Sequence, residues 1–457
     1  MKRKLAMLLA ATMSMSLVAC GSGEKASTGT TAATTAAAAE QTQAAAQTEA
    51  QAETTESAEL SAHLEYWSSW GETESQAQVL QAAAEEFTKL NPGVTINFTF
   101  NGRDNRNLVV SALEAGTEIN IMDANWDNCI SLWSNNLADL TDYYDEVYPT
   151  TNGKPYSESV MAAYSNLIAS DCGGEYRGVA YIPQAFMIFC NKDIFEACGI
   201  TEYPKTWDEM MDACQKIKDA GYIPVTNDNT RQQSWFAYYL QRKIGAEAVE
   251  EIANDSSLWK EGSKYYDAIV EAAEAVEYMA EQGYFDPNVG SNVNPTAQQN
   301  MVINGEIAMF INGTWLPNET AASNDEFNWG AFAFPAVEDG VDGTEATCYG
   351  TYAMCVNKDC TQEQMDAAFA FAVFCTTGTY DEMFRDKTQS IPMGIDAEWP
   401  EALKEVKDVL TQTTTRYKPQ LNIGVNADSK TIIQDACIKL QAGTLDTEGF
   451  IKEASNY

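Results

Sequence analysis

Strand-like and helix-like patterns alternate along this chain, and that alternation restricts the fold more than any other feature. Residues 64–67, Leu-Glu-Tyr-Trp, open as a short strand. Residues 75–90 carry apolar side chains at helical spacing, and 94–100 alternate between apolar and polar. Only short segments join these patterns, so they predict a strand–helix–strand unit. The crossover rule makes the two strands of such a unit parallel.

The same order of patterns recurs later in the chain. Thr206 and Glu209 form a capping-box motif at the start of a second helix, and the apolar strand 222–226 follows that helix. A third helix pattern comes just before the apolar strand 307–311. Repeated units of this kind predict an α/β fold. Because they are spread over the chain from residue 61 onward, we expect two sheets and therefore two lobes.

The net charge excludes several classes of partner. The 457 residues include 66 acidic and 28 basic side chains, which gives a formal charge of −38. Such a surface repels nucleic acid and anionic membranes, so we expect neither as a partner. Anionic ligands are disfavoured as well, unless a local basic pocket overrides the overall field.

The sequence lacks motifs for metals, cofactors and catalysis. A single histidine, His63, removes the basis for Ser-His-Asp, Cys-His and His-zinc chemistry. Residues 339–345 lack the spacing of a calcium loop, and no glycine-rich phosphate-binding motif is present. The 11 cysteines show no C-x-x-C spacing and are either buried free thiols or partners in one or two disulfides. We expect no cofactor, no metal site and no catalytic residue.

The first 20 residues resemble a bacterial lipoprotein signal peptide. Residues 2–4 are basic, 5–18 are apolar but too short for a permanent span, and 17–21 read Leu-Val-Ala-Cys-Gly. This resembles the lipobox, whose cysteine is lipidated; an ordinary secretory signal is the alternative. We expect Cys20 to anchor the chain on the extracellular face of the bacterial cell membrane. Residues 21–60 are almost all Ala, Thr, Gln, Glu, Ser and Gly, which predicts a disordered tether.

Tryptophan and polar residues occur together after three of the predicted strands. Ligands in open α/β sheets bind beyond the carboxyl ends of the strands. An indole can cover the apolar face of a sugar ring, while carboxylates and amides bind its hydroxyl groups. Packing in the core is the alternative for each tryptophan. The candidate ligand-binding residues are Trp67, Trp70, Glu72, Asp123, Trp126, Asp127 and Trp315.

Three segments carry a family resemblance. Residues 305–315 are similar to the G-x-x-A-M-x-x-x-G-x-W signature of bacterial sugar-binding proteins of ABC importers. Residues 189–200 resemble the Y-N-K-D-L-F-x-x-A-G-I segment of those proteins, and 204–209 resemble their P-x-T-W-x-E helix start. The chain thus resembles the maltose-binding-protein-like group, family 1 of the extracellular solute-binding proteins. It departs from the pattern at 116–121, where Gly-x-Pro-Asp-Ile is usual, and at Cys190, where tyrosine is usual.

The resemblance implies a two-lobed, periplasmic-binding-protein-like fold, with hinged lobes and a ligand cleft between them. It implies further ligand contacts at Gln184 on the first crossing strand, at Gln233 and Trp235, and at Tyr349 on the return strand. The implied ranges are 61–184 and 345–390 for the first lobe, and 185–335 and 391–457 for the second.

The implied function is capture of an extracellular sugar or oligosaccharide and its delivery to the permease subunits of an ABC importer. The membrane would be contacted only through the lipid anchor. A polyamine or short peptide is the alternative solute, because Glu72, Asp123 and Asp127 would suit a cation. An extracellular glycosidase would need a pair of carboxylates, which 66 acidic residues supply by chance.

Overall fold

The computed structural model of the chain describes residues 59–227, 230–290, 295–324 and 326–457. The predicted signal peptide, Cys20 and nearly all of the predicted tether lie outside the described residues. Among the helices that are described, none combines the length and the apolar character needed to cross a membrane.

Nine strands in the described residues form one mixed sheet, in the order β2-β1-β3-β8-β4-β6-β5, with β7 on β4 and β9 on β8. The expectation of two separate sheets is therefore wrong, because two long strands carry one sheet through the whole molecule. The strands are β1 (Ser61–Ser68), β2 (Gly93–Phe100), β3 (Ile121–Asn125), β4 (Val179–Asn191), β5 (Ile223–Thr226), β6 (Ile307–Gly313), β7 (Trp329–Phe332), β8 (Ala346–Val356) and β9 (Thr415–Tyr417).

Helices cover the faces and ends of this sheet. They are α1 (Ser75–Leu90), α2 (Asn105–Glu114), α3 (Trp126–Trp133), α4 (Thr141–Tyr144), α5 (Ala162–Asp171), α6 (Lys192–Ala197), α7 (Trp207–Asp219), α8 (Ser234–Ile244), α9 (Ala246–Asn254), α10 (Tyr266–Glu281), α11 (Pro295–Ile303), α12 (Leu316–Thr320), α13 (Gln362–Thr376), α14 (Gly378–Thr388), α15 (Lys404–Gln412), α16 (Ala427–Gln441) and α17 (Thr447–Ala454). Six short 3₁₀ turns lie between the described elements.

The local units expected from the sequence are present. Strands β1 and β2 are parallel and are joined through α1. At the start of α7, the Glu209 backbone N–H donates to the Thr206 hydroxyl at 3.3 Å, and the Thr206 N–H donates to the Glu209 carboxylate at 3.2 Å. This reciprocal pair satisfies backbone donors that the helix would otherwise leave open. After α7, Gly221 adopts φ 92°, which a side chain would oppose.

The long strands β4 and β8 run antiparallel through the centre of the molecule. They pair from Val179 opposite Met354 to Phe186 opposite Cys348. The second half of β4 then pairs with β6 and β7. Of the 13 residues of β4, Gln184 alone is partly exposed, and the other 12 are buried. Strand β4 is thus buried along its length, and Gln184 is the one polar side chain through which it reaches solvent.

Separate hydrophobic cores lie at the two ends of these strands. The first core draws buried residues from 64–182 and again from 353–393. The second draws them from 186–348 and from 417–454, and a third, on the other face of β4 and β6, includes Phe189, Phe310 and Leu403. The lobe ranges given above stay a prediction.

The cysteines of the described residues are all free thiols. Seven of these ten are buried and three are partly buried. Burial raises the pKa of buried thiols such as Cys190, Cys214 and Cys375, so these side chains act as small apolar groups.

Candidate ligand cleft

A cleft of about 1050 Å³ opens over the middle of β4 and β8. Its floor includes residues 182–186 of β4 and 348–350 of β8. Side chains that follow β1, β3 and β6 form part of its walls, as expected for the carboxyl ends of strands. Six of the eleven predicted ligand-binding residues line this cleft: Trp70, Asp127, Gln184, Gln233, Trp315 and Tyr349.

Trp70 forms part of one wall and is held firmly in place. Its indole N–H donates to the Tyr181 hydroxyl at 2.5 Å, and its ring lies 4.6 Å from the Tyr352 ring centroid. The Arg103 guanidinium lies 4.4 Å from the Trp70 ring, and its Nη2 donates to Glu74 at 2.8 Å. Because Trp70 is only 3% exposed, it offers an edge to the cleft rather than an open stacking face.

Trp315 lies on the opposite wall, just beyond β6, and is partly exposed. Its ring lies against Gly313, where an added Cβ would come within 2.1 Å of an indole carbon. Phe186 stacks near it at 6.3 Å, and the Arg231 guanidinium lies 4.6 Å from its centroid. Gly313 is therefore required for this position of the ring, and the exposed part of the indole borders the cleft.

Asp127 takes part in an ion pair at the floor of the cleft. Arg416 Nη2 donates to both oxygens of its carboxylate, at 3.1 and 3.2 Å, and Arg416 Nε donates to the Tyr349 carbonyl at 2.9 Å. Burial raises the pKa of Asp127, and the positive charge of Arg416 opposes that rise. The Tyr349 ring packs edge-on against Tyr164 at 5.7 Å. The pair thus joins the start of α3 to the edge of β8.

Gln184 and Gln233 bring amide groups to the cleft. Gln184 lies opposite Gly350 on β8, and no described residue forms a hydrogen bond with its side chain. The Gln233 amide is fixed: its Nε2 donates to Gln420 Oε1 at 3.0 Å, and its Oε1 accepts from Gln434 Nε2 at 2.7 Å. Gln184 therefore has an unused donor and acceptor facing the space where a ligand would bind.

Gln420 lines the cleft from an unusual turn that the sequence analysis did not predict. Gln420, Leu421 and Asn422 are three consecutive left-handed residues, with φ of 60°, 55° and 61°, and none is glycine. The Asn422 side-chain oxygen accepts from the Lys418 N–H at 3.1 Å and from Gln241 at 2.7 Å, which supports the turn. Left-handed residues with side chains are strained, and such strain is often found at binding sites.

Trp126 and Trp235 were predicted to contact ligand, and the structure places both in the core. Each is 0% exposed. The Trp126 indole donates to Asp171 at 2.8 Å, and Trp235 packs edge-on against Phe285 at 6.2 Å. The reason is the direction in which each residue leaves its helix. Asp127, directly after Trp126 in α3, lines the cleft, and so does Gln233, the residue that caps the start of α8 two positions before Trp235.

Asp123 does not reach the cleft either. Strand β3 extends to Asn125, so Asp123 lies within the strand rather than after it. Its carboxylate is 0% exposed and accepts from the Tyr66 hydroxyl at 2.8 Å, the Ser68 hydroxyl at 2.7 Å and the Ser69 N–H at 2.7 Å. Burial raises its pKa, while these hydrogen bonds lower it. Asp123 therefore organises the end of β1.

Trp67 and Glu72 also lie away from the cleft lining. Trp67 is in the body of β1, and its partly buried ring packs on the first core. Glu72 is exposed in the turn after Trp70, and Glu74, two residues later, lines the cleft in its place. The turn after β1 thus reaches the cleft through Glu74 and not through the predicted Glu72.

Four cationic side chains that the sequence did not single out line the cleft. They are Arg103, Arg106, Arg231 and Lys430. They come from three separated regions of the chain and share no local motif, so only the tertiary structure brings them together.

A family model described as "Bacterial extracellular solute-binding protein" matches residues 70–378. This chain belongs to that family. The expected family is thereby confirmed. A protein of Brucella abortus (strain 2308), named only as a binding protein, is 26% identical to this solute-binding protein over 266 residues. That match covers 56% of this chain and 60% of the relative, so it spans less than two thirds of the relative's length.

Solved structures share the fold of this solute-binding protein. A chitin oligosaccharide binding protein aligns with TM-score 0.66 and 17% identity, over 86% of this chain and 97% of that one. A sugar transporter from Bacillus licheniformis in complex with stachyose aligns with TM-score 0.62 and 16% identity, over 86% of this chain and 98% of that one. A maltose-bound protein of T. maritima aligns with TM-score 0.61 and 17% identity, over 86% of this chain and 98% of that one. The fold is thus the expected two-lobed, periplasmic-binding-protein-like architecture, with hinged lobes around a cleft.

Proposed function

We propose that this solute-binding protein captures a sugar or oligosaccharide outside the cell and delivers it unchanged to the permease subunits of an ABC importer. The observation that carries the proposal is the combination of side chains in one cleft. Trp315 supplies an aromatic surface, and Gln184 supplies an unused amide within the same space. Aromatic rings and amides are the groups that suit the apolar faces and the hydroxyls of a sugar.

The fold neighbours support a saccharide as the solute. Their names or titles state chitin oligosaccharide, stachyose and maltose as ligands. A cleft of about 1050 Å³ is large enough for more than a single sugar ring.

The cationic alternative loses its basis in the structure. The three acidic residues that favoured a polyamine are unsuitable: Glu72 is outside the cleft, Asp123 is buried within β3, and Asp127 is paired with Arg416. A glycosidase is also disfavoured. Asp127 and Glu74 are each held in an ion pair with an arginine, whereas the two carboxyl groups of a glycosidase must be free to act on the glycosidic bond.

The proposal also covers the lipid anchor of the chain and its division into a tether and two lobes. Cys20 would carry lipid, 21–60 would be a tether, and the protein would stay on the extracellular face of the membrane. The lobes would comprise 61–184 with 345–390, and 185–335 with 391–457. Metabolic labelling with a fatty acid tests the anchor: wild-type protein should be labelled and Cys20→Ala should not. Equal labelling of the two would contradict it.

A ligand screen tests the proposed function. Thermal shift and calorimetry are run with neutral and acidic oligosaccharides, polyamines and short peptides. We expect stabilisation by at least one saccharide, because a ligand that binds only the folded state stabilises it. Stabilisation by a polyamine or a peptide with no response to any saccharide would contradict the proposal. New reducing ends after incubation with the bound oligosaccharide would indicate an enzyme instead.

A further inference from the structure

Two cationic side chains line the cleft from different elements. Arg106 is on α2, which packs near the first core, and Lys430 is on α16, which contributes to the second. Burial lowers the pKa of the Lys430 amine, and the nearby positive charges of Arg231 and Arg106 lower it further. Lys430 therefore lies within electrostatic range of both arginines.

Neither Arg106 nor Lys430 has an acidic partner among the described residues. Other charged groups of the cleft do: Arg103 pairs with Glu74 at 2.8 Å, and Asp127 pairs with Arg416 at 3.1 Å. The chain has 66 acidic and only 28 basic residues, so the lack of a carboxylate beside Arg106 and Lys430 does not reflect a shortage of acidic side chains. Arg106 and Lys430 thus bring two positive charges to one cleft with no carboxylate of the described residues paired to either, and an anionic ligand would supply the missing counter-charge.

We propose that Arg106 and Lys430, with Arg231 beside them, bind an anionic group carried by the saccharide, either the carboxylate of a uronic acid or a sulfate ester. This inference rests on the proposed function and specifies its substrate class. The guanidinium fork of arginine suits both oxoanions because two parallel N–H groups can donate to two oxygens. Lysine contributes a compact charge with three donors.

The position of the two cations has a consequence for closure. Arg106 and Lys430 lie on elements that belong to opposite cores, so one anion between them would contact both walls. Without the anion the two charges repel and favour an open cleft; with it, they are drawn toward the same group. The acidic saccharide would thus stabilise the closed state more than a neutral one. The negative overall charge slows the approach of an anion but does not remove this local attraction.

Calorimetry with matched sugar pairs tests the proposal. One pair is trigalacturonate and its fully methyl-esterified form, in which each carboxylate is replaced by a neutral ester on the same sugar chain. The other is sulfated and unsulfated lactose, which separates sulfate from carboxylate. The variants are Arg106→Gln and Lys430→Gln, and the matched control is Lys452→Gln, which removes one positive charge from the exposed face of α17. A denaturant melt of each variant verifies that it is folded.

We expect at least one acidic sugar to bind more tightly than its neutral partner. Arg106→Gln and Lys430→Gln should each weaken that binding roughly ten- to a hundredfold, the scale of a charged hydrogen bond, while Lys452→Gln should not change it. Binding of neutral sugars should change little in all three variants. If neutral sugars bind as tightly as acidic ones, or if all three variants behave alike, the inference is overturned and the proposed function stands. If no saccharide of either kind binds in these pairs or in the wider screen, both fail.

Discussion

Replacement of Trp315 by alanine is the most direct test of the cleft. The ring is partly exposed, rests on Gly313 and stacks near Phe186. It therefore has one part that supports the second core and another that borders the ligand space. The variant separates the two contributions, because they appear in different measurements.

The expected losses of binding free energy and of unfolding free energy depend on how much of the Trp315 ring the protein already buries. If ligand and indole together remove about 100 Å² of apolar surface from water, the loss of binding free energy is about 2.5 kcal/mol. This lies within the range of about 2–4 kcal/mol for an aromatic anchor and corresponds to a thirty- to thousandfold weaker affinity. The free energy of unfolding should fall by only about 1–2 kcal/mol, because the ring is not fully buried before the ligand binds.

Trp235 offers a matched control within the same chain. It is 0% exposed, so Trp235→Ala should lower the free energy of unfolding by about 3–5 kcal/mol while the folded fraction binds normally. Calorimetry with a saccharide identified by the screen, paired with urea melts of both variants, makes the comparison. If Trp315→Ala melts as early as Trp235→Ala and binds like wild type while folded, Trp315 is a core residue and the cleft assignment is wrong.

Three further predictions follow. Gly313→Ala should displace the indole, because its Cβ would come within 2.1 Å of the Trp315 ring, and affinity should fall toward that of Trp315→Ala; unchanged affinity would contradict the packing. Burial raises the pKa of Asp381 from 3.8 to about 7, so the folded state holds a proton that the unfolded chain releases, and stability should decrease as pH rises between these values, by up to roughly 4 kcal/mol. Urea melts at pH 5 and pH 8 should show that the free energy of unfolding decreases less with pH in Asp381→Asn than in the wild type. Equal decreases in the two proteins would refute Asp381 as the cause. Solution scattering should give a smaller radius of gyration with saturating saccharide than without it, and no change would count against closure.

The sequence located the loops of the site better than it located the side chains. The turns after β1, β3 and β6 all contribute to the cleft, as the strand-end rule predicts. Which residue points inward depends on about 100° of rotation per helical residue. Trp126 and Asp127 are neighbours at the start of α3, yet the first is in the core and the second lines the cleft. Sequence spacing does not fix that phase where a strand changes into a helix.

Contacts between segments that lie far apart in the sequence were the second feature that could not be predicted. The family resemblance implied a crossing strand at Gln184 and a return strand at Tyr349, but nothing local shows that residues 179–186 pair with 348–354 and join two expected sheets into one. The cationic group of Arg106, Arg231 and Lys430 was missed for the same reason, because its members meet only in the tertiary fold. The capping box at Thr206, by contrast, is a contact within four residues, and it was predicted correctly.

The pairing of β3 with β8 also governs when this protein can fold as it is synthesised. Strand β3 needs residues 352–356 as its neighbour, and the first core needs Phe369 and Phe371 from α13. While these residues are still in the ribosome, the chain up to residue 351 lacks a closed first core and exposes the apolar side chains that belong to it. Such late, non-local contacts make folding slow. We therefore expect the nascent chain to stay open, and to offer apolar segments to chaperones, until residues 352–371 have emerged.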